Sequence, residues 1–537
     1  MNPAEPGNPA PEFASAVVTP SQRPLSMQIV RGVVFSLVRK LLSGPIFLLV
    51  VPFILHRVGA AGYGTWSIIG AIIGLSWFLD LGLSDSVTKH IAEHRGSGDL
   101  SQLRRFANAS SAVYLVLTTV ALFLLWLFSR AIIAGLFRGP DAPSLPAILS
   151  LWPLLLAIVG IDLLTKPFMS AINGCQRFDL SNLLLFSANA SNVLLTVIFL
   201  SFGGNLRGLM WATLLSTLLT LLLSIGVARH LLPSVIPNPL ACDFATVRGL
   251  CAFSLGLYAG SIMTTIQGQA EKIYLARFLG VVPVGWYNMA SEAASKVRRM
   301  PDLLLGPVMA ATSELDATRS WRKISELHFR AHKYLAVTTI PLVVFAIVSA
   351  RALVVLWLGP KMSIIAFPFA LLLIGNLFPQ VGAPTYFVLV GRGILRPSVY
   401  AAVIASVLNV VLSLVFIWRW GFAGAVWGSV IPMIVSNVCF FIMARPYFEG
   451  TLYEVLQRAY LKPILCASAA AAVMSIANVQ ARHLWLEILS GGAIFAIVYI
   501  LGLVVTRFFD AFDFSKAESH IPFARLVRRL VPASSSI

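Results

Sequence analysis

The stretch RVGAAGYGTW (57–66) and the later RFLGVVPVGWY (277–287) punctuate long apolar runs in the same way. Each opens with an arginine. Each carries two glycines five residues apart, Gly59 with Gly64 and Gly280 with Gly285, and then an aromatic side chain as the next apolar run begins. Glycine permits a tight reversal, and Trp and Tyr favour the membrane–water interface, so each stretch reads as the outer turn between two membrane helices. The pair also sets a register. Gly139-Pro140 answers Gly359-Pro360, Pro167 before Gly174 answers Pro384 before Gly391, Asn192 answers Asn409, and Gly208 with Trp211 answers Gly424 with Trp427. These pairs all lie about 216–221 residues apart. A fixed offset held through five landmarks marks an internal repeat.

Composition says what kind of repeat it is. Of 537 residues 58% are hydrophobic and 12% charged, with a mean hydropathy of +0.84; a soluble chain carries roughly a quarter charged. Apolar runs of about 18 residues or more, each long enough to span a bilayer, recur throughout. Runs and breakers predict an all-α polytopic membrane protein of about fourteen transmembrane helices, near 31–55, 64–84, 106–128, 147–168, 180–201, 207–228, 249–275, 285–305, 332–350, 363–388, 398–418, 422–444, 462–480 and 484–506. Six helices fall in each copy. An even number returns the chain to its starting side, so the copies are parallel bundles related by a pseudo-two-fold axis along the membrane normal. The expected divisions are a disordered tail at 1–26, bundles at 27–230 and 249–445 joined by a linker at 231–248, two additional helices at 446–506, and a basic tail at 507–537.

The formal net charge of +18 does not call for a nucleic-acid partner. Counted by this scheme, about 24 Lys and Arg lie on the side of the N-terminus and about 9 on the other, which is the positive-inside bias and puts both termini in the cytoplasm. The C-terminal FARLVRRLVP reads either as an amphipathic surface helix or as a solvated tail. Five cysteines show no C-x-x-C spacing and no His at metal-ligand distance, so neither a metal nor a cofactor is expected. Nucleotide-binding loops, Gly-x-Ser-x-Gly, H-E-x-x-H and paired carboxylates in polar loops are absent from the sequence. A polysaccharide polymerase or ligase would need a large outer loop, and none extends much beyond about twenty residues. The chain reads as a secondary transporter rather than an enzyme.

Particular residues narrow the class. Gly59, Tyr63 and Gly64 precede an apolar helix, then Leu79-Asp80-Leu81-Gly82-Leu83, then a short charged helix ending at Gly98-Asp99. Glu271-Lys272, Leu279-Gly280 and Val284-Gly285-Trp286-Tyr287 follow in the second copy. Over about residues 27–506 the chain resembles the polysaccharide-transporter branch of the multidrug/oligosaccharidyl-lipid/polysaccharide (MOP) exporter superfamily, departing from its usual pattern by Glu271 where Asp is common and by the inserted Trp286. The resemblance implies a flippase of the bacterial inner membrane. Its cargo would be undecaprenyl-pyrophosphate-linked oligosaccharides for O-antigen (and so lipopolysaccharide), capsule or exopolysaccharide. It further implies a cationic central cavity, membrane lipids as surroundings, an H+ or Na+ coupling ion, and association with polymerase machinery. A lipid II flippase and a cation-coupled multidrug exporter share the superfamily and stand as alternatives.

An ionisable group at a helix centre costs at least ~2.5–3.5 kcal/mol, so such groups should face a wet or paired interior. The substrate-binding candidates are Arg39 and Lys40 in the first helix, Lys166 in the fourth, and Lys296 and Arg299 in the eighth. Glu292, Lys296 and Arg299 share one helical stripe. Glu271, Glu292 and Asp162 are the candidates for ion coupling. The alternatives are that Arg39, Lys40, Lys296 and Arg299 only flank their spans, that Asp162 and Lys166 neutralise each other at i, i+4, and that Glu271 sits at the outer end of its span. Asp80 and Asp302 occupy matching places and read as caps or a latch.

Overall fold

The computed structural model describes residues 25–510 and 513, less 75, 81, 138, 234, 236, 300–301, 449–451, 478–483 and 511–512. Side chains at 25–43, 77–78, 252–253, 255–267, 299, 302–304 and 306 are outside that description. Arg39, Lys40, Arg299 and Asp302 therefore lie outside the residues whose side chains are described.

Every regular element among the described residues is helical. The N-terminal part comprises α1 (Leu25–Gly74), α2 (Ser76–Leu79), α3 (Leu83–Ser97), α4 (Leu100–Leu127), α5 (Ser129–Leu136), α6 (Leu145–Gly174), α7 (Phe178–Ser201) and α8 (Asn205–Leu231). Then come α9 (Phe244–Leu279), α10 (Val281–Arg299), α11 (Asp302–Ala317), α12 (Trp321–Val348), α13 (Ala350–Leu358), α14 (Ala366–Gly391) and α15 (Arg396–Ala444). Last are α16 (Leu452–Ala477) and α17 (Leu484–Val505). Ten segments of the described residues are long and apolar enough to cross a membrane. The segment Arg396–Tyr447 has 52 residues; straight, it would run ~78 Å, more than twice a hydrocarbon core of ~30 Å. It does not run straight, because Gly421 breaks it at φ 59°, ψ −132°. Likewise α1 is broken at Gly59, φ 71°, ψ 176°.

The turn conformations recur at the interval seen in the sequence. Positive φ occurs at Gly59 and Gly280, Gly98 and Arg319, Gly139 and Gly359, Gln176 and Gly393, and Gly203 and Gly421. Members of each pair stand 217 to 221 residues apart. Two pairs include a residue other than glycine, so this agreement lies in backbone geometry that composition does not disclose. Within the opening motif the glycines divide their labour. Gly59 and Gly280 reverse the chain, while Gly64 and Gly285 pack. A Cβ on Gly64 would lie 1.9 Å from the Val281 carbonyl oxygen, and one on Gly285 3.1 Å from the Gly64 Cα. The two counterparts meet backbone to backbone, an approach only small residues allow. Trp66 and Trp286, which follow the second glycines, are partly buried against the core. Tyr63 and Tyr287 are buried, and the Tyr287 hydroxyl lies 2.7 Å from Ser429 Oγ.

Carboxylates start several helices. Asp99 accepts from the backbone N–H groups of Ser101 and Gln102 at 3.0 and 3.1 Å, capping α4. Asp243 does the same for α9 through Ala245 and Thr246. Asp80 accepts from Ser84 Oγ at 2.8 Å and from the Tyr114 hydroxyl, tying the start of α3 to α4.

The last two helices pack on α12. Ala467 and Ala470 are fully buried in that cluster, and Gly502 leaves just enough room for Cys466, whose Sγ would be 3.0 Å from a Cβ there. A polar seam accompanies the apolar one. His328 Nε2 and His332 Nε2 are 3.1 Å apart, both reach Thr385 Oγ1 (2.9 and 3.0 Å), and His332 Nδ1 lies 3.1 Å from the Tyr460 hydroxyl. Beyond α17, Asp513 accepts from Tyr334 at 2.7 Å and pairs with Lys333 and Arg330.

Candidate functional site

The two copies face each other through α1 and α10, with α9 behind. Asn288, Glu292 and Lys296 follow one another at intervals of four on α10, so they line a single face. That face meets α1. Asn288 Nδ2 donates to the Tyr63 hydroxyl oxygen at 3.4 Å. Lys296 Nζ lies 5.6 Å from the centre of the Phe47 ring, a cation–π distance. Glu292 is close enough for its charge to act on both Tyr63 and Lys272. Phe47 is also 5.4 Å from the Trp357 ring of α13, and Trp357 Nε1 donates to the Leu48 carbonyl at 2.8 Å. Contact in the other sense joins the α5 turn to α9, where Gly139 approaches the Gly280 Cα.

Lys272 enters the sequence reading only as the neighbour of Glu271, not as a site residue in its own right. It lines a void of about 20 Å3 with Ile68, Ala71, Ile72, Leu136 and Ile273, room for about one water. On a helix adjacent residues point ~100° apart, so of Glu271 and Lys272 only one can face the other copy. The structure gives that place to Lys272. Nearby, Gln269 abuts Gly74 of α1 and its Oε1 is buried without a hydrogen-bond partner among the described residues.

Glu271 instead points into the helices of the second copy. It is 4% exposed, and it accepts from Asn409 Nδ2 and from Ser429 Oγ, the latter at 2.8 Å, both on α15. Ser429 in turn reaches the Tyr287 hydroxyl. Two donors, one from each side of the Gly421 break in α15, compensate a carboxyl group that would otherwise be costly to bury. Asp162 and Lys166 form a third, separate group. Their charges are 3.6 Å apart on one helix, and Asp162 Oδ2 also accepts from Ser76 Oγ of α2 at 2.8 Å. The candidate residues thus form a mixed-charge face of Lys272, Glu292 and Lys296 between the copies, a buried carboxyl within the second, and an ion pair within the first.

This helical arrangement is a fold already seen in solved flippase and transporter structures. Over 90% of its length the chain superposes on 98% of "Lipid II flippase MurJ, inward closed conformation", with a TM-score of 0.67 at 14% identity. A MATE multidrug transporter of the MOP superfamily in an inward-facing conformation matches 80% of this chain and 96% of its own, with a TM-score of 0.57 and 16% identity. Within that fold the chain belongs to the family described as "Polysaccharide biosynthesis protein", whose model matches residues 29–313. Among curated relatives, the "Putative O-antigen transporter" of Shigella flexneri is 20% identical over 355 residues, 66% of this chain and 82% of the relative.

Proposed function

We propose that this protein is a secondary transporter that flips undecaprenyl-pyrophosphate-linked oligosaccharides from the cytoplasmic to the outer leaflet of a bacterial inner membrane. The bundles 27–230 and 249–445 rock about their shared axis, and both termini stay in the cytoplasm. The observation that carries this reading is the face of Asn288, Glu292 and Lys296 on α10, with Lys272 beside it, set against α1. Charged groups placed at a seam between two helical bundles, rather than against lipid, mark the path of a polar cargo. Arg39, Lys40, Lys166 and Arg299 add to the cationic lining on this reading. Glu271, Glu292 and Asp162 are the carboxylates through which H+ or Na+ would drive the cycle. The relatives named for O-antigen transport and lipid II flipping support a lipid-linked saccharide as the cargo, and a polymerase acting on the delivered saccharide is the partner this reading implies.

Deletion of the gene tests this directly. Saccharide-loaded lipid is expected to collect on the cytoplasmic leaflet, read by the access of a membrane-impermeant label. Normal outer-leaflet delivery in the deletion strain would sink the proposal. Lys296→Ala is expected to restore delivery poorly while the protein inserts at normal levels.

A further inference from the structure

A second cavity lies away from the seam between the copies, inside the N-terminal helices. It encloses about 340 Å3, the low end of the range for ligand pockets. Both α4 and α8 pack on α6, and they pack only weakly, if at all, on each other. The cavity is therefore a slot with α6 as its floor, represented by Leu164, and with Leu115 of α4 and Ile225 of α8 on its walls. One end is closed by Pro237 and Pro239. That closure is fixed to α4, since the Asn238 N–H donates to Asn108 Oδ1 at 2.8 Å and Asn108 Nδ2 donates to the Ala241 carbonyl at 3.3 Å.

The medium beside this slot is lipid. Both α4 and α8 belong to the segments able to cross the membrane, and exposed Leu115, Val116 and Leu222 stand on those same two helices. The closed end is different in character. Arg229 borders the cavity there, is exposed, stands in the last turn of α8, and has no carboxylate partner among the described residues. A mainly apolar slot between two membrane-crossing helices, with a lone guanidinium at the level where one of them leaves the membrane, matches one kind of molecule. We propose that the slot holds one hydrocarbon chain of an anionic membrane phospholipid, whose phosphate sits on Arg229. The lining is mainly apolar, its polar members besides Arg229 being the neutral hydroxyls of Ser110, Ser111 and Tyr114, so a phosphate carried into its depth would lack a cation and cost several kcal/mol. Arg229 in turn provides the charge-assisted hydrogen bonds that fix the phosphate at the end.

Full-length protein in phosphatidylcholine nanodiscs, doped with phosphatidylglycerol bearing a diazirine in one chain, tests this. After illumination, label is expected on the α4 and α8 peptides that contain Leu115 and Ile225. Unlabelled phosphatidylglycerol should displace it and phosphatidylcholine should not. Arg229→Gln is expected to reduce labelling about fivefold, the worth of one basic residue near an anionic lipid. Ala228→Phe, which fills the slot, is expected to abolish it. Label spread over the outer surface without enrichment in α4 and α8 would overturn the proposal, and so would unchanged labelling of folded Ala228→Phe. If Ala228→Phe does not fold, the label map of the unaltered protein decides by itself. Displacement by a polyprenyl phosphate at concentrations where phosphatidylglycerol has no effect would also overturn it, giving the slot to a transported lipid.

Discussion

Gly64 has no room for a side chain. A Cβ there would press on the Val281 carbonyl at 1.9 Å, so Gly64→Ala must push α1 away from α10 at an overpacking cost of about 1–3 kcal/mol. Loss of complementation at normal membrane levels is expected, with Gly285→Ala the milder because its contact is 3.1 Å; a complementation assay with quantified protein checks both. Glu271 answers to a different logic. Its counterpart 221 residues earlier is Val50, so the carboxyl group is an addition to the symmetric frame. Glu271→Ala strands the donors Asn409 and Ser429 and should lower stability by about 1–3 kcal/mol, read as a fall in Tm in detergent. Glu271→Gln keeps an acceptor and should keep most of that stability. On the proposed mechanism it loses dependence on the ion gradient, so stability and coupling separate. Sequence spacing could name Glu271 and Lys272 but not which of them faced the other copy, because the two lie one step apart on a helix and only packing against α15 chooses.

At the scale of elements, the long spans and the short charged α3 were legible, and the other short helices were not. Apolar length identifies a crossing, whereas α5, α11 and α13, of 8, 16 and 9 residues, are too short to register and fall where sequence reading places loops. α12 begins at Trp321, eleven residues before the expected start at 332, because its charged first turns sustain themselves through pairs such as Glu326–Arg330 at 3.0 Å. Those turns also meet the end of α17. Asp510 is 3.3 Å from Lys333 and 3.7 Å from Arg330. Burial raises its pKa, but the Asp513 N–H and these two cations outweigh burial and hold it below the ordinary 3.8. A carboxylate depressed on folding contributes stability that is present above its unfolded value and lost as pH falls through its folded one. The α12–α17 junction should therefore stay closed near neutrality and open only in acid below about pH 4. Pepsin cleavage around Phe508 and Phe509, absent at pH 5 and appearing as the pH is lowered further, would show it.

For the whole molecule, two glycine-marked turns were enough to find the repeat, since an offset kept across hundreds of residues leaves few alternatives. The sequence could not show that the turns touch. Contact depends on where an axis falls, and no periodicity along a chain encodes that. Nor could it show the His328–His332 seam to α16, whose members come from three helices distant in sequence. The two copies are joined through residues 232–243, where Ala241 and Cys242 are both exposed. If that stretch only connects, the protein cut between Ala241 and Cys242 and produced as two fragments should reassemble. Co-purification of the fragments, with complementation by the pair and by neither alone, is the expected result.

The meeting of Gly64 with Gly285 makes this more than a convenience of cloning. Equivalent positions touch each other only where the rotation relating them passes between them, so the chain meets itself there as a homodimer meets its mate, by an isologous contact. The segment between the copies also keeps two subunit-like halves at high effective concentration, so that Gly64 and Gly285 meet as the two sides of a dimer interface meet.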